Sequence, residues 1–595
     1  SLHDALPIYT LCMRLYGNDT SNKIPIMLCI AKTYNALRDY KSRIFWAKKA
    51  LDESIILRGE KDIYTMWGWG ELASFYSDDK NTRDEAIKIF ETMLTTGSEI
   101  FLEQDPFIDE IIKNLAWTYA KSSRFKEAIP LYEKILERQE RRMDSYDYLT
   151  VDEKRNLISK NSSVYINATA MYCIDGNLDN AFRTLERSKS RLLIDSYSEQ
   201  LAKSSGILEE NEIAKLNGYK AGLANYANSI ERAFQAGNEQ ARFNLETEQR
   251  NLMNEYAKYK ESLQNKYPKY KNVSQANKLE LERDKNILPD DTVFVEYMVW
   301  GPKTFLAFVF DKNSEIKAVK IDASEKFLPA CALYRELLAY PTLGAMQDDN
   351  KYLWIFPNGN YKITFIGDKV SGAQLLDDEK DFNELKQSLS EILGEVLLSP
   401  LKENISGYSN LIISPDRDLI NIPFETLDFN DKFAVESFNI SYVPSFSVLK
   451  LMNEAGEKNA KLATRKELFA MGNAFYGNND KATSRGSLTD FIRRISGKID
   501  ITELMNIKWD NLTGTKEEIE RVAKLFNTKK IFSEKSASES NLKAFNRRNE
   551  ISNYKYLLFS ANGIFIPHAP EYNSIVLSQG VDAKEDGYVT VGEWM

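Results

Sequence analysis

A chain of 595 residues, 43% apolar and 28% charged, has ordinary soluble globular composition and room for several domains. No apolar run approaches the ~18 residues a membrane span needs, and no basic stretch followed by an apolar core opens the chain, so neither a span nor a secretory leader is expected. A net charge of −9 with both signs mixed argues against nucleic-acid binding by bulk electrostatics, and with four scattered cysteines and two histidines, His3 and His568, no metal site or cofactor is expected.

The cysteines, Cys12, Cys29, Cys173 and Cys331, lie far apart and lack pairing or metal spacing, which fits the reducing cytoplasm. The sequence opens on Ser1 rather than Met and is expected to be a fragment.

The first third repeats itself. Ala31 is followed by Tyr34, Tyr40, Ala47 and Ala50; Ala73 by Tyr76, Ala86 and Phe90; Ala116 by Tyr119, Phe125, Ala128 and Tyr132; Thr169 by Tyr172, Leu178, Ala181 and Leu185. Each stretch reads as a helix, a polar turn and a second helix, with small residues where the helices cross and aromatics filling the gap beside them. The pattern resembles tetratricopeptide repeats, and 115–136 (LAWTYAKSSRFKEAIPLYEKIL) is the clearest copy. Tyr34 to Tyr76 spans 42 residues and Tyr76 to Tyr119 spans 43, longer than the usual ~34, so longer helices or loops are expected. Stacked repeats bury a continuous core and leave a curved face for a partner.

From 196 to 270 the spacing changes to a helical hairpin. Leu216, Tyr219, Leu223, Tyr226, Ile230 and Ala233 recur by three and four, Gly237-Asn238 breaks the pattern, and Leu252, Tyr256, Tyr259 and Leu263 resume it until Pro268. This seam is structural.

After Ile287 strands begin. Residues 292–300 (TVFVEYMVW) and 304–310 (TFLAFVF) are rich in β-branched and aromatic residues, and Asn358-Gly359 between apolar runs at 352–366 signals a hairpin. Phe382, Leu385, Leu389, Ile392 and Val396 mark one face of a helix. Short strands are expected at 411–414, 440–443, 468–471 and 555–559, with helices between several of them. One such helix is opened by Thr515 and Glu518 as a capping box, with Ile519, Val522 and Phe526 on its buried face. Alternation of this kind predicts an α/β layer with a largely parallel sheet.

Four segments, in order, resemble the CHAT family, caspase-related domains commonly found behind tetratricopeptide repeats. They are 288–297 (LPDDTVFVEY); 411–427 (LIISPDRDLINIPFETL) with 440–445 (ISYVPS); 512–519 (LTGTKEEI); and 554–565 (YKYLLFSANGIF) leading to 574–577 and 586–593. The second is the strongest: a strand, a Pro-Asp turn, a second strand and Pro423-Phe424. Residues 186–195 (ERSKSRLLID) look like the helix that precedes such domains. The resemblance implies an α-solenoid over 9–195, a hairpin linker over 196–285 and a caspase-like α/β domain over 286–595, incomplete at its C-terminal end.

A caspase-type peptidase needs a thiolate nucleophile and a histidine that protonates the leaving amine. An unperturbed thiol is mostly protonated at neutral pH, whereas imidazole exchanges protons there. The resemblance places that histidine in a His-Gly pair just after a strand, and the cysteine after the next main strand. Here the pair reads Asn562-Gly563, and a carboxamide does not titrate in this range. Taken alone, Asn-Gly is a tight turn. His568, near Pro567 and Pro570, reads as a loop residue. Asp586-Gly587 precedes what reads as the start of a helix, and the nucleophile's strand is expected beyond Met595. Cys12, Cys29 and Cys173 fall in the repeats and Cys331 on a helix, where free thiols are usually small core residues. No phosphate loop, dinucleotide fingerprint, H-E-x-x-H or G-x-S-x-G is present.

The sequence therefore reads as a cytoplasmic interaction protein whose repeats bind a protein partner, joined to a degenerate or truncated peptidase domain. The alternative is a partner-activated, caspase-like cysteine endopeptidase acting on a protein substrate; some members of the family serve bacterial defence.

Overall fold

A computed structural model describes residues 23–101, 105–145, 151–189, 208–267, 279–339, 354–355, 362–366, 369–372, 379–460, 465–476, 509, 512–526, 530–548, 550–564, 573–581 and 585–590. These fall into two compact units, one holding described residues 23–189 and 208–267 and the other 279–590.

The first unit is helical. Helices α1 (Lys23–Ala36) and α2 (Tyr40–Arg58), α3 (Ile63–Asp78) and α4 (Arg83–Ile100), α5 (Pro106–Lys121) and α6 (Phe125–Ser145), α7 (Val151–Ile174) and α8 (Leu178–Ser188) form successive pairs. Short acidic or amide side chains fix several starts: Asp39, Asp62, Asp105 and Asn177 each accept a first-turn N–H, and Pro106 fills a position whose N–H needs no helical partner. Each repeated stretch in the sequence begins on the first helix of a pair and ends on the second. Ala31, Ala47, Ala73, Ala86, Ala116, Ala128, Thr169 and Ala181 are all buried, as close helix crossings require. Tyr40 departs from the pattern: it is exposed at the start of α2. The long repeat spacing resides in the helices, since α2 has 19 residues, α4 has 18 and α6 has 21. Arg187 on α8 clasps Glu133 and Glu140 of α6 at 3.1 and 2.9 Å.

The hairpin follows as α9 (Glu210–Gln235) and α10 (Glu239–Lys266), turned at Gly237, whose φ of 66° suits glycine. Leu223, Ala233, Tyr256 and Leu263 are buried along the seam, and the ring of Tyr219 meets those of Tyr256 and Tyr259 at 5.6 and 5.7 Å. Helix α10 also packs against α6. Pro268 lies outside the described residues.

The second unit opens with β1 (Thr292–Gly301), β2 (Thr304–Phe310) and β3 (Lys317–Asp322), an antiparallel meander; the connections are too short for parallel crossovers. Helices α11 (Phe327–Ala339) and α12 (Glu379–Leu397) flank the small antiparallel strands β4 (Trp354–Ile355), β5 (Lys362–Ile366) and β6 (Lys369–Gly372) in the chain. The β4–β5 pairing matches the expected hairpin, whose Asn358-Gly359 turn lies outside the described residues. Strands β7 (Asn410–Ser414) and β8 (Asn439–Tyr442) add in parallel, giving the order β3-β2-β1-β7-β8. One face of this sheet, with Val295, Tyr297, Phe305 and Val309, buries against Leu385, Leu389, Leu393 and Leu397 of α12. On the other, Phe294 and Phe310 meet Phe446 of α13 (Phe446–Ala460). Burial on both faces explains why β1 is apolar along most of its length, with the buried Glu296 its one charged residue.

Residues 417–421, expected as a second strand after the Pro-Asp turn, form a 3₁₀ helix instead. Its tight three-residue turn drops Leu419 into the core, and Ile422 and Phe424 follow it there. Phe424 packs on Tyr297 at 5.5 Å and gives its N–H to the Tyr442 hydroxyl at 2.8 Å, so the Pro-Phe pair serves the core of this sheet.

A separate, wholly parallel sheet runs β10-β9-β11, from β9 (Lys466–Ala474), β10 (Ile531–Glu534) and β11 (Tyr554–Ser560). Helix α14 (Thr513–Leu525) covers one face through Val522 and Ala523, which meet Leu468, Ala470 and Leu558. Helix α15 (Glu539–Arg547) covers the other through Leu542 and Phe545, against Phe469 and Phe532. The expected capping box at Thr515 does not form: α14 starts two residues earlier, Thr515 donates to the Leu512 carbonyl at 2.6 Å, and Glu518 is engaged elsewhere. The chain ends its described course in a small antiparallel sheet, β12 (Asn562–Ile564), β13 (Ser574–Val576) and β14 (Tyr588–Thr590). Residues 588–590 are thus strand, and the helix expected to begin nearby would fall on 591–595, outside the described residues.

Candidate functional site

Parallel strands β9, β10 and β11 all end at one rim of their sheet, the place where α/β folds present chemistry. Asn562 stands at that rim, two residues past the end of β11. It does not sit in a tight turn. Asn562 and Gly563 are extended and paired with Val576 and Ile575, and Gly563 is not among the residues with positive φ. Pairing with β13 supplies the backbone partners that a turn would have satisfied internally.

Four contacts define the surroundings. The Asn562 N–H donates to the hydroxyl of Tyr476, 3.3 Å away, and that hydroxyl donates to the Val576 carbonyl at 2.8 Å. Burial holds the Tyr476 hydroxyl above its usual titration range, so it stays protonated. Just before Asn562, the buried Ser560 hydroxyl donates to the Glu518 carboxylate on α14. Tyr588 completes the wall, its hydroxyl receiving the indole N–H of Trp509 at 2.9 Å.

Strand β11 occupies the end of the β10-β9-β11 order, and among the described residues no strand pairs with its outer edge. Tyr556 and Leu557, which alternate to opposite faces, are 53% and 41% exposed.

The described cysteines lie elsewhere in the fold. Cys29 is exposed on α1; Cys173 is half-buried on α7, where burial lifts its thiol to about 12; Cys331 is buried on α11, and burial raises it too. Neither Cys173 nor Cys331 has the lowered pKa of an activated nucleophile. Cys12 and His568 fall outside the described residues. Sequence reasoning missed Tyr476 beside Asn562 and Glu518 beside Ser560, since neither contact leaves a local signal: each joins residues more than forty positions apart.

A chain of paired helices followed by a mixed sheet and a parallel sheet, each covered by helices, is a helical-repeat protein carrying an α/β domain. Its two parts match known families: residues 111–144 match the tetratricopeptide repeat, and residues 387–594 match the CHAT domain. The chain therefore carries a tetratricopeptide repeat and a CHAT domain. The matched CHAT region begins within α12 and leaves the β1–β2–β3 meander outside it. No curated protein sequence matches the chain. Among solved structures, BtubC (BKLC) from P. vanneervenii is 20% identical, covering 42% of this chain and 89% of its own at a TM-score of 0.27. A putative kinesin light chain from Podosopora anserina with nearly identical TPR-like repeats is 14% identical, covering 39% and 94% at 0.24. The Rap protein complexed with competence and sporulation factor is 13% identical, covering 43% and 70% at 0.25. Superpositions this loose add nothing to the fold described above. Among the described residues, no helix is long and apolar enough to cross a membrane.

Proposed function

We propose that this chain is a cytoplasmic interaction protein: its repeats take a protein partner on their concave face, and its CHAT domain, related to caspases, is catalytically degenerate at residue 562. The observation that carries this reading is Asn562 itself. It stands at the rim where parallel strands end, in the place the family gives its histidine, and its carboxamide has no proton to trade near neutrality. Burial keeps Cys173 and Cys331 protonated at neutral pH, which argues against either as the nucleophile. The test is a peptidase assay of the complete gene product against a pooled peptide library, with and without the protein that co-purifies with its repeats. No cleavage is expected in either condition. Cleavage abolished by altering Asn562, or by altering a cysteine encoded downstream, overturns degeneracy.

One observation favours the second reading, a partner-activated cysteine endopeptidase. The outer edge of β11 exposes apolar side chains on both faces, which suits the addition of a further strand. A nucleophile carried on such a strand would stand beside residue 562. Sequencing past residue 595 separates the two: a strand ending in an exposed cysteine supports the peptidase, and its absence supports the interaction protein.

A further inference from the structure

We propose that Tyr476 is a positioning residue for residue 562: its buried phenol fixes the main chain there and accepts a hydrogen bond from whatever side chain that position carries. The inference rests on reading 562 as the position the family gives its histidine.

The argument is one of hydrogen-bond capacity. A phenol has one proton to give and lone pairs to receive with. The Tyr476 proton is committed to the Val576 carbonyl at 2.8 Å, and the oxygen receives the Asn562 N–H at 3.3 Å. Asn562 and Val576 face each other in the first rung between β12 and β13, so one oxygen ties both members of that rung. The Asn562 carboxamide also draws the phenol pKa down against the larger effect of burial, as a donor facing that oxygen does. With its proton already given away, the hydroxyl can meet that side chain only as an acceptor. It therefore selects for a donor at 562, which both a carboxamide and an imidazole N–H provide, and rejects a carboxylate. Tyr476 is 8% exposed and packs in one apolar cluster with Val576, Tyr588 and Trp509, a setting in which such bonds are held firmly. A donor-selecting phenol explains how asparagine can stand here without disturbing the fold while removing the titrating group.

The experiment uses Asn562→His in the whole chain, labelled with 15N histidine; native His3 and His568 supply reference signals. Nitrogen shifts read which ring nitrogen of the introduced imidazole carries the proton. One tautomer is expected to dominate, and adding Tyr476→Phe is expected to shift the tautomer ratio by roughly threefold to tenfold, the range one net hydrogen bond supports. Tyr588→Phe removes a hydroxyl from the same cluster and should leave the ratio unchanged. An unaltered ratio in the Tyr476→Phe variant, or an equal change in Tyr588→Phe, overturns the proposal. Should Tyr476→Phe fail to fold, 3-fluorotyrosine at 476 keeps both bonds while weakening the oxygen as an acceptor. It must move the ratio in the same direction by less, and no movement overturns the proposal. Peptidase activity is a separate readout. A tautomer shift without cleavage in the complete gene product retains Tyr476 in its role and removes 562 as a peptidase position; cleavage without the shift does the reverse.

Discussion

The Asp416 carboxylate accepts the main-chain N–H of Val299 at 2.7 Å, tying the Pro-Asp turn after β7 to the end of the neighbouring parallel strand β1. Val299 is buried, so the bond satisfies a donor that water does not reach freely. Replacing Asp416 with Ala should cost about 1–3 kcal/mol, the penalty for stranding a buried polar group. Asp416→Asn keeps an oxygen acceptor and should cost less. Urea unfolding reads both, as lowered midpoints at unchanged slope. Equal stability of the Ala variant and the parent would show that the hallmark turn has no such structural role.

A second tie lies inside the same unit. Lys450 on α13 donates to Asp284 at 2.7 Å, with Asp284 nearly inaccessible and also accepting the Glu280 N–H at 2.9 Å. Burial alone would raise the Asp284 pKa; the bond from Lys450 and the others around it outweigh burial and hold it below its ordinary value of 3.8. Because the folded pKa is depressed, the contribution of Asp284 is complete above its unfolded pKa and is lost as pH falls through the folded one. Stability should therefore drop more steeply below about pH 4 in the parent than in Asp284→Asn. At pH 7, Lys450→Met alone should cost up to about 3–5 kcal/mol, because the buried carboxylate then keeps only the exposed Arg283, 3.2 Å away, as a cationic partner, and Asp284→Leu combined with it should recover much of that loss. Thermal melts across pH 3 to 7 check both expectations.

The thiols give a prediction that bears directly on chemistry. Cys173, lifted to about 12, and Cys331, raised further and shielded in the core, are protonated at neutral pH. Among the described cysteines, exposed Cys29 should react first with iodoacetamide at pH 7.4, and Cys173 and Cys331 should remain unmodified until the protein is denatured. Peptide mass spectrometry of a labelling time course reads the order. Rapid labelling of Cys331 in the folded protein would reopen it as a nucleophile.

Some of this fold was legible in the sequence because one local cause dominated. The repeats declared themselves through alanines that only close helix crossings require, and β1, β2, β7 and β11 through runs of β-branched and aromatic residues. What escaped lacked such a cause. Strand β3 (KAVKID) is half polar because it lies at a sheet edge, and β10 is only four residues long. Residues 417–421 (RDLIN) place two apolar residues side by side rather than in alternation, and they curl into a 3₁₀ turn directly after Asp416, which is bound to Val299. Asn562 was legible as a position, being read from the strand before it. Its partner Tyr476 was not, because tertiary packing alone brings the two together.

Gly472 offers the sharpest check on that packing. It faces Ser560 across β9 and β11, and a Cβ built at 472 would lie 2.7 Å from the Ser560 carbonyl oxygen and 2.8 Å from a methyl of Ile519 on α14. The carbonyl belongs to a paired strand and cannot swing aside, so the helix, the strand or both must shift. Gly472→Ala should destabilise the domain by about 1–3 kcal/mol, the usual cost of overpacking. Gly514, near the start of α14, is the control: nothing lies within 4 Å of a Cβ there, and Gly514→Ala should be neutral or stabilising by up to about 1 kcal/mol through helix propensity. The displacement at 472 has a further consequence, because Ser560 leads to Asn562 within two residues and Gly472 leads to Tyr476 within four. In the Asn562→His background, Gly472→Ala should therefore loosen the imidazole tautomer preference, whereas Gly514→Ala should not. If both glycines tolerate alanine equally, β11 and α14 do not approach as closely as the geometry requires, and the bond between Tyr476 and residue 562 loses its framework.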